Sequence, residues 1–146
     1  MRAERGAATV EFALFAVFLV LIVSGIVDLG RGMYTAIALD DAVQEGAIYA
    51  AFTDDVAGVD VTADDIKARV VASTSSPQLS VGDVSVSCVA QVRAKQSGSR
   101  MTVGVDHSVD LITPFVSNWF GGTLSLHRES VVDRFFAACP DGSGSA

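Results

Sequence analysis

An α+β fold carried on one membrane-crossing helix is the class this sequence predicts, and three observations predict it. Residues 7–27 form an almost unbroken apolar run of 21 residues, and about 20 helical residues cross a bilayer core of about 30 Å. Apolar residues then recur at three-to-four spacing up to about Phe52, the period of a helix face. From Val84 onward the pattern changes to alternation, the period of half-buried strands. The expected organisation is therefore a leader (1–6), a transmembrane helix (7–28), its stalk continuation (29–52) and an outer α+β head (53–146).

The leader, MRAERG, is short and basic, and the run behind it carries one carboxylate, Glu11. An unpaired charge deep in a bilayer costs at least about 2.5 kcal/mol, so Glu11 needs a reason. A secretory signal peptide would have a shorter apolar core and a small-residue cleavage site behind it. An uncleaved signal anchor is a second reading. The third is a cut between Gly6 and Ala7 on the cytoplasmic side, which leaves the apolar helix as the new N-terminus. That cut would place an amine about one helical turn from Glu11, near a helix N-terminus where negative charge is favoured. When such helices bundle, the carboxylate could neutralise a neighbouring subunit's amine and register the subunits. Arg2 and Arg5 precede the span and Asp28 follows it, an asymmetry that puts the N-terminus in the cytoplasm.

Beyond the span, Ile26, Leu29, Met33, Ile37, Val43, Ala47 and Ala50 give the helix a narrow apolar stripe. Gly25, Gly30 and Gly32 weaken it and permit either a bend or close helix approach. A helix from Ala7 to about Phe52 would run about 70 Å at 1.5 Å per residue. Thr53, Asp54, Asp55 and Gly58 read as its end. Thr62 with Asp65 reads as a capping pair, opening a short helix whose face is Ala63, Ile66 and Val70 and which stops between Ser73 and Pro77.

Val84, Val86, Cys88, Ala90 and Val92 then alternate with Ser85, Ser87, Val89, Gln91 and Arg93, and residues 95–99 read as a flexible connection. Met101, Val103, Val105, His107, Val109 and Leu111 define a second strand face, and a third strand runs from Leu124 to about Phe135. The expectation is a small antiparallel sheet with one buried face, covered by the short helix and the upper part of the long one.

Residues 29–146 hold 8 Lys and Arg against 14 Asp and Glu, a formal charge of −6. An acidic outer domain argues against nucleic acid as a partner. The two cysteines, Cys88 and Cys139, both lie in the exported part, where oxidation is permitted. A bridge between them would close a long loop; two free buried thiols are the alternative. No cofactor or metal is expected, since the chain has no CxxC and its two histidines are isolated. It lacks GxGxxG, P-loop and HExxH signatures as well, and enzymatic activity is not expected. One loop invites a binding role: Phe115, Trp119 and Phe120 crowd residues 114–122. They can fold over the sheet, touch the outer lipid surface or form a partner surface.

Residues 6–50 resemble the N-terminal region of TadE-like (TadE/TadG-like) pseudopilins of the tight-adherence (Flp) pilus system. Gly6, Glu11, Gly30, Arg31, Tyr34, Glu45, Gly46, Ala47, Tyr49 and Ala50 match that pattern in place. Leu29 and Ile48 depart from it, standing where an aromatic and a basic residue are usual. The resemblance covers the β-rich remainder only loosely. It implies a pilin-like fold and a prepilin-type leader cut by a prepilin peptidase between Gly6 and Ala7. It also implies partners among pilins, pseudopilins and secretion machinery, and it tilts the aromatic loop toward partner contact. The expected location is the cytoplasmic membrane, single-pass, with the C-terminal domain outside. The competing function is an uncleaved, signal-anchored envelope protein with an outer binding domain.

Overall fold

The computed structural model describes residues 2–57, 61–93, 96–113, 117–118, 121–135 and 139–140. Helix α1 (Arg2–Ala57) is followed by α2 (Ala63–Ser73), a 3-10 turn (Val81–Asp83), and strands β1 (Val84–Arg93), β2 (Gln96–Asp110) and β3 (Thr123–Phe135). The strands make one antiparallel sheet in the order β1-β2-β3. The β1–β2 register runs from Val84 opposite Val105 to Arg93 opposite Gln96. This is the α+β class that the periodicities predict.

The chain divides into two compact units, Met1–Met33 with Asp110–Leu124, and Tyr34–Val109 with Ser125–Ala146. In the first, α1 is long and apolar enough to cross a membrane. Its apolar side chains from Val10 to Val27 are exposed rather than folded into a core, as lipid contact requires.

The second unit holds the core. Leu39, Val43, Ala47 and Ala50 of α1 pack with Ile66 and Val70 of α2, Val84 and Val86 of β1, and Met101, Val103 and Val105 of β2. Leu126 and Val132 of β3 add to it from the partly buried side. Each large aliphatic side chain fully buried here contributes about 1.5–3 kcal/mol.

Helix α2 starts as its sequence requires. The Thr62 N–H donates to Asp65 Oδ2 at 3.0 Å, and the Asp65 N–H donates to Thr62 Oγ1 at 3.2 Å. The Thr62 hydroxyl, which donates to Asp65 Oδ2 at 2.7 Å, and after it the Thr62 N–H hold the Asp65 carboxyl below its usual range. A second box that the pattern reading missed precedes β1. There Asp83 accepts from the Ser80 N–H at 2.8 Å and the Ser80 hydroxyl at 2.9 Å, and its carboxyl is lowered for the same reason.

Gly46 lets α1 approach α2. A Cβ at this position would collide with Val70 Cγ2 and lie 3.4 Å from Val103 Cγ1. Gly46→Ala is therefore expected to destabilise by about 1–3 kcal/mol through overpacking, despite a helix-propensity gain of about 1 kcal/mol. Gly30→Ala serves as the control, because a Cβ there meets nothing within 4 Å. Chemical denaturation of the two variants checks it: Gly46→Ala should lower the midpoint and Gly30→Ala should not.

Three sequence expectations are corrected. Helix α1 continues past Thr53, Asp54 and Asp55 and ends at Ala57, directly before Gly58. Residues 96–99 are strand and not a connection, since β2 pairs with β1 up to Gln96. Along β1, Val84, Val86 and Cys88 are buried, whereas Ala90 on the same face is exposed. The stripe of Ile26, Leu29, Met33 and Ile37 is the exposed side of α1, each residue 60% or more accessible. The buried side between them is Asp28, Gly32 and Thr35. On this side of α1 the returning segment needs a hydrogen-bond acceptor and close approach, which Asp28 and Gly32 supply and large apolar side chains do not.

Candidate functional site

Gly6, Ala7 and Glu11 all lie on α1, and Glu11 is exposed. Four residues separate Ala7 from Glu11, so the two share one helix face a turn apart. A Cβ at Gly6 would meet no atom within 4 Å.

At the other end of the apolar run, Asp28 is buried and clamps the segment that leaves β2. Its Oδ1 accepts the Ile112 N–H at 3.1 Å and its Oδ2 accepts the Thr113 N–H at 3.0 Å. One turn further along, Arg31 Nη1 lies 3.5 Å from the Asp110 carbonyl oxygen. Gly32 passes close by Leu124, whose Cδ2 would lie 3.5 Å from an added Cβ. The segment closes on itself where the Leu111 N–H donates to the Gly122 carbonyl at 3.0 Å. Gly121 and Gly122 adopt φ of +82° and +85°, which favours glycine. Sequence reasoning missed this clamp, although a lone acid directly behind a membrane span was the available signal. Phe115, Trp119 and Phe120, the sequence-level partner surface, lie outside the described residues.

The motif near the end of α1 has a structural use. Glu45 forms an ion pair with Arg69 of α2, with Arg69 Nε 3.0 Å from Glu45 Oε1. Tyr49, one turn on, sits under the same guanidinium at 5.9 Å from the ring centre. Glu45 and Tyr49 therefore hold α2 from one face while Gly46 and Ala50 let it come close. The neighbouring cleft of about 390 Å³ is lined by Asp41, Glu45, Arg69, Ala72 and Ser73. Its polar wall lacks the apolar lining of a small-molecule site.

Cys88 and Cys139 are joined in a disulfide that ties β1 to the chain beyond β3. On the sheet, Arg100 makes a two-pronged pair with Asp133 at 2.7 and 3.1 Å. Arg128 of β3 reaches Asp40 of α1 at 3.1 Å. His127 Nδ1 lies 2.7 Å from Asp106 Oδ1, and this hydrogen bond and charge hold the imidazole above its ordinary value. His107 is half-buried on the apolar side of β2, as its register requires. Among the described residues, no group of three or more His, Cys, Asp or Glu side chains is placed to hold a metal ion.

Residues 6–47 match the family model described as TadE-like protein. That match takes in Gly6, Glu11, Asp28, Arg31, Glu45 and Gly46 and covers less than a third of the chain. No curated protein and no solved structure matches the chain.

Proposed function

We propose, on the premise that residues 6–47 belong to the TadE-like family, that the chain is a pseudopilin-like, non-catalytic subunit. It acts in assembly of a Flp-type pilus or a related secretion apparatus. The observation that carries this reading is the TadE-like segment itself: Gly6, Ala7 and Glu11 at the head of one membrane-length apolar helix. A prepilin peptidase cuts between Gly6 and Ala7, so residues 1–6 are leader. Residues 7–28 then span the cytoplasmic membrane, residues 29–52 continue as stalk, and residues 53–146 form the head outside. Arg2 and Arg5 keep the leader on the cytoplasmic side, where the peptidase must act. The new Ala7 amine and Glu11 register this helix against those of pilins or other pseudopilins.

Cleavage is tested by intact mass and N-terminal sequencing of the chain extracted from a membrane that contains the peptidase. The expected N-terminus is Ala7. A protease site binds its substrate extended, so a side chain at the residue before the cut has to fit a confined pocket. Gly6→Leu is expected to abolish processing while leaving membrane insertion intact. Met1 or Arg2 as the sole N-terminus of the unsubstituted chain would favour the uncleaved signal-anchored reading.

A further inference from the structure

Once the reading of residues 7–27 as a span is accepted, the clamp at Asp28 acquires a location. Asp28 is the first charged residue after the apolar stretch that begins at Phe12. The end of β2, the residues after it and the start of β3 meet α1 at three successive levels. Leu124 lies by Gly32, Asp110 by Arg31, and residues 112 and 113 by Asp28. From Gly32 to Asp28 is four residues, about 6 Å along a helix axis, and the direction is toward the apolar run. Helix and segment belong to one compact unit.

At the lowest level the Ile112 side chain is 66% exposed, although its backbone is pinned. The N–H groups of Ile112 and Thr113 both donate to Asp28. Near lipid, an unsatisfied backbone N–H costs several kcal/mol, and the two carboxylate oxygens remove that cost at both positions.

We infer that residues 111–113 form a lipid-contacting foot, with Ile112 seated in the outer headgroup layer and Asp28 acting as its positioning residue. The occupant follows from continuity with the span: the foot is held where the apolar run ends. It fixes the depth and rotation of the helix at the outer face, as interfacial anchors do.

The inference rests on the span, and the test separates the two. The full chain carrying Ile112→Cys, or Val17→Cys as reference, is labelled with an environment-sensitive fluorophore without reductant, so that Cys88–Cys139 stays closed. It is reconstituted into phosphatidylcholine–phosphatidylglycerol vesicles with iodide available on both sides. A label at residue 17 that loses fluorescence to nitroxide-bearing lipid establishes the span; a label that does not defeats the span and the foot together. With the span established, loss of fluorescence at residue 112 to nitroxide lipid supports the foot. Quenching there by iodide alone overturns it, and so does protection from both quenchers, which would mean contact with another copy of the chain. Asp28→Ala is expected to abolish the lipid quenching at residue 112 and leave that at residue 17 unchanged.

Discussion

Glu11→Ala is expected to yield a protein that inserts and is cleaved normally but no longer associates with pilin-type partners. The substitution removes a charge that is costly near lipid, so insertion alone should be unaffected or improved. The loss falls on the complex, where a neighbour's Ala7 amine keeps its charge without a counter-charge in a low-dielectric setting. Breaking one side of such a pair costs about 3–5 kcal/mol, roughly a hundredfold or more in association. Glu11→Gln separates charge from shape, because it retains the size and hydrogen bonding of the side chain. In-membrane crosslinking and a processing assay on the same samples provide the measurement. Normal partner yield from fully cleaved Glu11→Ala would defeat the registration role.

Opening the Cys88–Cys139 bridge is expected to produce the largest stability loss available from a single chemical change. The linked residues are 51 positions apart, and closing a loop of that length in the unfolded chain is worth about 4 kcal/mol on the chain-entropy account. A whole domain is typically stable by only about 5–15 kcal/mol, so the reduced protein should unfold at markedly lower denaturant. Equilibrium denaturation of the full chain with and without reductant, with thiol labelling to verify the redox state, measures this. A midpoint that does not move on complete reduction would show that the packed core alone secures the end of β3.

The TadE-like segment explains itself only when the tertiary contacts are set beside it. Glu45, Gly46 and Tyr49 are legible in the sequence as a motif, but Arg69, the partner of Glu45 and Tyr49, lies 24 residues from Glu45. Nothing local in the chain announces that pairing. The capping pair Thr62 and Asp65, the α2 face of Ala63, Ile66 and Val70, and the three strands were all readable, because caps and periodicities act over a few residues. The register of β2 as far as Gln96 was not readable, since Gly98 and the serines beside it carry no apolar alternation to reveal a strand.

The sequence by itself determined that this chain has one membrane-length helix, an α+β class and a TadE-like beginning. Those properties follow from hydrophobic length, period and local motif, which are one-dimensional quantities. Only the tertiary structure decided which side of α1 faces protein. Periodicity marks Ile26, Leu29, Met33 and Ile37 as one apolar stripe without saying what it faces; the stripe is exposed, while Asp28 and Gly32 face the returning segment. The physical reason is that backbone N–H groups arriving from residues 112 and 113 need an acceptor and room for close approach. A carboxylate and a glycine supply these, and a row of large apolar side chains does not.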